Sequence, residues 1–183
     1  MTTQYFDWWK FENAVSPEDC QKLISLGDEK WQSGVVGHTH TNKLNKTLRD
    51  SEIVWIRDTN WKDFFWKYMH QMNTESGLNF QIDGVDHLQL TKYVAPAGHY
   101  DYHIDGNGFT EVNSKVRKIS MTCLLNDDFE GGEFYFRVSS EFTVPMKKGD
   151  IIFFPSYFPH TVTPVTKGTR YSLVAWFVGN PLT

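Results

Sequence analysis

At 183 residues the chain has the size of one folding unit, and a composition 40% hydrophobic and 16% aromatic is far from that of a disordered segment. A formal charge of -4 argues against affinity built on neutralising phosphates, and Cys20 and Cys123, the only cysteines, offer neither a disulfide framework nor a thiolate metal site. No stretch approaches the roughly 20 apolar residues of a membrane span, and the N-terminus lacks a basic start followed by an apolar run. The expectation is a soluble cytoplasmic protein with no nucleic-acid and no membrane partner.

Ser16-Pro17-Glu18-Asp19 has the chemistry of a helix start, with a hydroxyl cap, a proline in the first turn and acids beside it. Cys20, Leu23, Ile24 and Leu26 then mark an apolar stripe up to Lys30. Gly34 to Asn45, with His38 and His40, reads as a polar loop, and Glu52–Ile56 as a strand. A second helix is predicted from near Asn60, where Trp61, Phe64, Phe65, Tyr68 and Met72 follow helical spacing and Gly77 ends it. From about residue 84 the pattern changes to short strands near 86–94, 98–105, 117–125, 132–138, 141–145, 150–155, 158–165 and 169–178. Turns are expected at Pro96–Gly98, Gly106–Gly108, Gly131–Gly132, Lys148–Gly149 and Lys167–Gly168. These elements predict a mainly β protein with a helical buttress and a double-stranded β-helix (jelly-roll) core. The expected division is a single domain over 1–183, with helical and strand support over 1–83 and the jelly-roll core over 84–179.

A histidine and an aspartate two apart on a strand point to one face and can chelate a metal. Gly98-His-Tyr-Asp-Tyr-His-Ile-Asp105 contains two such pairs, His99 with Asp101 and His103 with Asp105. Strict alternation puts all four on one face and does not choose between them; the place of Asp105 at a strand end, where coordination sites can stay open, favours the second pair. A third ligand is offered by His160, after the apolar run Ile151–Pro155, although a lone histidine there reads first as a core residue. Arg170 changes that balance. With Ser172 and Trp176 it shares one face of an apolar strand, and an arginine so placed needs an anion, such as a dicarboxylate cosubstrate.

With these residues in place the sequence resembles the iron(II) and 2-oxoglutarate dependent oxygenases, in their prolyl hydroxylase branch, over residues 86–178, with a weaker echo in Arg49-Asp-Ser-Glu-Ile-Val-Trp55. The family pattern has tyrosines ten and three residues before the first ligand histidine; His103 has Tyr93 and Tyr100 there, whereas His99 would have Gln89 and Pro96. Glu130–Phe134, Lys148–Pro155, His160, Arg170-Tyr-Ser and Trp176 match as well. The resemblance implies Fe(II) held by His103, Asp105 and His160, and 2-oxoglutarate held by Arg170 with Tyr93 and Ser172. It further implies O2 as oxidant, ascorbate as reductant, and a prolyl residue of a peptide or protein lying against Tyr100, Arg117 and Trp176. The products would be succinate and CO2. Leu124 departs from relatives that carry a tyrosine at that place for the cosubstrate. His99 and Asp101 are expected to make surface contacts or contacts that support the ligands, and Gly34 to Leu48 to act as a lid over the peptide. Other readings stay open: a hydroxylase of another residue or of a free amino acid, a nucleic-acid demethylase, or a non-catalytic cupin-like binding module. Trp176 stands where the demethylases carry a second arginine, and a cupin has no need of a buried Arg170.

Overall fold

The computed structural model describes residues 8–27, 30–36, 44–106 and 115–181. The chain runs β1 (Trp9–Phe11), α1 (Pro17–Ser25), β2 (Gln32–Ser33), β3 (Arg49–Asp50), β4 (Glu52–Ile56), α2 (Thr59–Glu75), β5 (Gly84–Val85), β6 (Leu88–Val94) and β7 (His99–His103). It continues with β8 (Val116–Leu124), β9 (Phe129–Gly131), β10 (Phe134–Arg137), β11 (Glu141–Thr143), β12 (Ile151–Pro155), β13 (His160–Val162) and β14 (Val165–Gly179). Two antiparallel sheets result: a larger one ordered β1-β12-β8-β14-β6-β4-β2, with β5 and β9 also on β14, and a smaller one ordered β11-β10-β13-β7-β3. This is the expected mainly β, jelly-roll architecture with a helical buttress.

Side-chain alternation explains the layering. In β12, Ile151 and Phe153 join a core with Leu23 of α1 and Phe65, Met69 and Met72 of α2, while Ile152 and Phe154 join a second core with Phe134 and Phe136 of β10. A strand buried on both faces has no polar side, hence the unbroken apolar run at 151–155. Edge-on ring pairs pack this layer: Phe136–Phe154 at 4.9 Å ties the sheets together, and Phe134–Phe136 at 5.0 Å lies along β10. Such pairs contribute about 0.5–1.5 kcal/mol each beyond their area. On β6 and β14 the faces differ: Leu88, Leu90, Leu173, Ala175 and Phe177 go to the helix side. Gln89, Thr91, Tyr93, Arg170, Ser172 and Trp176 line a cavity between the sheets.

Both helices start as their caps predict. Ser16 Oγ accepts from the Asp19 amide (3.1 Å) with Pro17 in the first turn, and Asp58 caps α2 through the Asn60 amide (2.8 Å). α1 ends at Ser25 instead of running to Lys30, because the amide of Gly27 tightens onto Ile24 (3.0 Å) and its backbone packs against the Trp31 ring. The expected turn at Lys167–Gly168 is a bulge inside β14 instead. The extra residue, Thr166, falls between Val165 opposite Gly131 and Lys167 opposite Glu130; Gly168, at φ +75, follows where pairing passes from β9 to β6, and a side chain there would meet the Asp128 carbonyl at 2.6 Å. The strand expected over 158–165 is confined to His160–Val162, and that expected over 132–138 begins at Phe134, since Gly131 and Gly132 both take positive φ. β1 was not foreseen; three residues cover the free edge of β12. None of the described helices is long and apolar enough to cross a membrane.

Candidate active site

Two bulges build the site. β13 pairs with β7 through His160 opposite His103 and Val162 opposite Tyr100, so β7 carries one residue more than its partner. Tyr100 and His103 therefore turn to the same side, their rings stacked at 3.5 Å and 15°. The expectation that His99, Asp101, His103 and Asp105 share one face is thus incorrect. Asp101 is exposed, and the His99 ring lies over the backbone, its nitrogens 2.8 and 3.0 Å from the carbonyls of Ala97 and Thr47. In β8, Arg117 and Ile119 pair with successive residues of β14, Val178 and Phe177. Lys118 is the extra residue, and Arg117 is re-aimed into the cavity.

His103, Asp105 and His160 come together with one ligand atom each, all within 4.8 Å of one another. Both histidines use the same local device. Each Nδ1 lies 2.8 Å from the carbonyl two residues earlier, Asp101 for His103 and Phe158 for His160. A carbonyl only accepts, so Nδ1 carries the proton and Nε2 presents its lone pair. The two Nε2 atoms face Asp105, at 3.7 Å from Oδ1 and 3.6 Å from Oδ2. Asp105 is pinned from behind by the Ser156 carbonyl, which accepts from its amide at 3.0 Å, and its buried Oδ2 has no hydrogen-bond partner among the described residues.

These groups fit a divalent first-row metal: two neutral nitrogens and one carboxylate oxygen on one side, with an orphaned oxygen awaiting a cation. Burial, then the neighbouring His160, pushes His103 down to about 3. Burial would raise the Asp105 carboxyl, but His160, His103 and Arg117 outweigh it and hold it below the ordinary value. A stability effect follows. Below the ordinary histidine value of 6.5 the unfolded chain takes up a proton that folded His103 refuses until about pH 3, so metal-free stability falls as pH drops through that window. The limiting slope for one such group is about 1.4 kcal/mol per pH unit. Urea denaturation at pH 7 and pH 4 should show a larger loss for the wild type than for His103→Gln; equal losses would mean that His103 titrates normally.

Arg170 is 2% exposed and sits across β6 from Tyr93. Its Nη1 donates to Ser172 Oγ (3.0 Å), its Nε has no partner, and among the described residues no carboxylate pairs with it. Burial lowers its pKa, the signature of a cation lacking a counter-charge. Gly132, at φ +67, lets the arginine stem pass; a β-carbon there would stand 2.9 Å from Arg170 Cδ. Leu124 lies opposite Ser172 in the register, so the polar contact to Arg170 comes from Ser172 itself. The space in front is a cavity of about 450 Å³ that also reaches Tyr93, Tyr100, His103 and His160.

At the mouth, Arg117 stacks on Trp176 (3.9 Å) and is paired with Asp86 (3.0 Å). Trp176 is buried with its Nε1 unpartnered among the described residues, and the half-exposed Trp55 ring lies 6.1 Å away. Sequence reading missed the roles of Asp86, which precedes β6 at the start of the strand expected over 86–94, and of Arg49, which sits in a strand of only two residues. Arg49 is 7% exposed, lines the cavity, and holds its guanidinium 4.5 Å over the Tyr100 ring. Of the expected lid, Val35 and Leu48 line the cavity; residues 37–43, and with them His38 and His40, lie outside the described residues, as do Asn107 and Gly108 of the expected turn.

Residues 88–178 match the 2OG-Fe(II) oxygenase superfamily. A PKHD-type hydroxylase of Idiomarina loihiensis is 37% identical over 81 residues, 43% of this chain and 36% of that relative. The matching segment thus spans well under half the length of that curated relative. A Pseudomonas putida prolyl-4-hydroxylase superposes with a TM-score of 0.69 at 21% identity, over 93% of this chain and 91% of the other. A prolyl hydroxylase from Trichoplax adhaerens, solved with a hypoxia inducible factor oxygen degradation domain peptide fragment, gives 0.74 at 18%, over 93% and 83%. At these identities the likeness to the solved structures is one of fold. Sequence match, jelly roll and the His103, Asp105, His160 cluster agree, and the chain belongs to the 2OG-Fe(II) oxygenase superfamily, with the fold of its prolyl-4-hydroxylase-like branch.

Proposed function

We propose that the protein is an Fe(II)- and 2-oxoglutarate-dependent dioxygenase that hydroxylates a prolyl residue of a peptide or protein. The observation that carries this reading is one cavity holding both a preset His-Asp-His cluster and a buried arginine without a counter-ion. His103, Asp105 and His160 would hold Fe(II), leaving the side of the cluster towards the cavity for other ligands. Bound together, Fe(II), 2-oxoglutarate and O2 would supply an oxidation that yields succinate and CO2 and leaves one oxygen atom on the substrate, 2-oxoglutarate providing the electrons and ascorbate serving only to keep the iron as Fe(II).

The chain's own part is placement. Arg170, oriented by Ser172, offers its free Nε–H to the distal carboxylate of 2-oxoglutarate. The Tyr93 phenol, raised by burial, stays protonated beside it as a donor. Tyr100, raised by burial to about 12, likewise stays neutral and shields one face of His103. Trp176 and Trp55 give flat apolar walls on which a pyrrolidine ring can pack, and Arg117, steadied by Asp86, can donate to a peptide carbonyl. The peptide bound by the Trichoplax fold neighbour supports a peptide-sized ligand.

The test is incubation of the protein with Fe(II), 2-oxoglutarate, ascorbate and a proline-containing peptide library, read by mass spectrometry. One oxygen gained on proline, with matching succinate, is the expected result. Oxygen gained only on other residues, on a free amino acid or on methylated single-stranded DNA would overturn the prolyl assignment. Absence of succinate under all of these conditions would overturn the dioxygenase reading itself.

A further inference from the structure

Three arginines face the cavity, and they are not equivalent. Arg117 is neutralised within the protein by Asp86 at 3.0 Å. Arg170 is the one that the proposed function reserves for the cosubstrate. Arg49 remains, more than nine-tenths buried, and among the described residues its partners are all neutral: Ser51 Oγ on Nε (2.8 Å), the Val35 carbonyl on Nη1 (3.3 Å) and Gln89 Oε1 on Nη2 (2.9 Å). These use three of the five guanidinium N–H groups, and the Tyr100 hydroxyl interacts with the guanidinium as well, so at least one donor remains among the described residues. Of the other charged groups lining the cavity, Asp105 is buried, Asp101 is exposed to solvent, and Lys115 is paired with Asp83.

The charges can be followed as the site fills. A divalent metal and doubly ionised 2-oxoglutarate cancel one another. Arg117 cancels Asp86, and Asp105 cancels one of the two remaining arginines. One buried positive charge is left over, and an uncompensated charge away from water is unfavourable until an anion meets it. The substrate is the component still to arrive.

Resting on the function proposed above, we infer that the substrate carries a carboxylate that Arg49 receives. Tyr100 separates the arginine from the metal ligands, with the guanidinium 4.5 Å from its ring and the His103 ring 3.5 Å from it. That spacing suits a carboxylate on the reacting proline itself or on the next residue, given a reach of about 3.5 Å per extended residue. The chemical class is therefore a C-terminal or free prolyl α-carboxylate, or a proline followed by an acidic side chain.

The experiment measures binding to the protein loaded with Fe(II) and 2-oxoglutarate under nitrogen, followed by tryptophan fluorescence. The ligands are N-acetylproline against its amide, and N-acetyl-Pro-Asp amide against N-acetyl-Pro-Asn amide. In at least one pair the carboxylate member should bind about tenfold or more tightly than its neutral twin, as a charge-assisted contact supplies; the pair concerned identifies the source of the carboxylate. Arg49→Gln should bring that pair together, while Arg49→Lys keeps part of the difference. Equal affinities within both pairs, no binding of any of the four, or a preference that survives in Arg49→Gln would overturn the inference. The wild-type comparison decides even where a variant folds poorly. Binding of 2-oxoglutarate in the same samples separates the two ideas: its failure in the wild type sinks the function proposed above, whereas its success with indifferent ligand pairs sinks only the role of Arg49.

Discussion

His103→Ala, Asp105→Ala and His160→Ala are each expected to abolish turnover and to cost Fe(II) more affinity than the roughly 10–100-fold lost when only a supporting hydrogen bond is disturbed. Each removes one of the three donor atoms gathered within 4.8 Å, and no other described histidine, cysteine or carboxylate completes a cluster with the remaining two. Asp105→Asn is the more informative change. It keeps the shape, removes the charge that faces both Nε2 atoms, and should weaken metal binding; because His160, His103 and Arg117 hold the carboxyl below its ordinary value, it should also lower metal-free stability near neutral pH. His99→Ala should leave Fe(II) affinity intact, because its ring contacts only the Ala97 and Thr47 carbonyls. Asp101→Ala should produce at most a small loss. The metal-facing role in that residue belongs to its backbone carbonyl, although its carboxylate also accepts from the Tyr102 amide and helps to hold the bulge. Fe(II) titrations on these variants check the assignment, and an unchanged affinity in either the His103 or the His160 variant would refute it.

The parts of this site that obey simple alternation were legible in the sequence, and those that depend on bulges were not. β6 and β14 pair without a break from Arg170 opposite Tyr93 to Val174 opposite Gln89, so the shared face of Arg170 and Ser172 could be read from spacing. β7 and β8 each carry an extra residue, which reverses the face of everything beyond it. Composition does not announce such an insertion: nothing in His99–His103 distinguishes a regular strand from one that turns Tyr100 and His103 to the same side. The register was reached from family resemblance, on Tyr93 and Tyr100, where periodicity left two pairs equal. Arg49 carried the same physical signal as Arg170, a buried guanidinium on a strand, but β3 offers too few residues for any face to be assigned. Asp86 is invisible for a different reason, since its importance lies in pairing with Arg117 from a distant stretch of chain. The jelly roll itself was readable because its strands are punctuated by turn residues. Only where a glycine follows a bulge inside a strand, as Gly168 does, did punctuation mislead.

Arg170→Leu should separate cosubstrate binding from metal binding. The guanidinium is a buried cation whose one hydrogen bond among the described residues is to a neutral hydroxyl, so its removal exposes no partner charge there and leaves only Ser172 Oγ to be re-satisfied. Leucine keeps part of the apolar stem packed beside Gly132 and Tyr93. The melting temperature without ligands is therefore expected to stay level or rise, which is the reverse of what removal of a well-paired buried arginine does. Fe(II) affinity should be unchanged, because Arg170 has no contact with His103, Asp105 or His160. Affinity for 2-oxoglutarate should fall tenfold or more, each charge-assisted bond to a carboxylate contributing about 1.5–3 kcal/mol. The stabilisation that 2-oxoglutarate confers on the wild type at a fixed concentration should shrink with it, since ligand-linked stability follows the ratio of concentration to dissociation constant. Arg170→Lys restores the charge without the planar fork, and should recover part of the affinity. Calorimetric titration of 2-oxoglutarate into the Fe(II)-loaded variants under nitrogen reads these effects directly. An Arg170→Leu protein that binds 2-oxoglutarate as tightly as the wild type would remove Arg170 from the cosubstrate site and leave its buried charge to be assigned to the substrate instead.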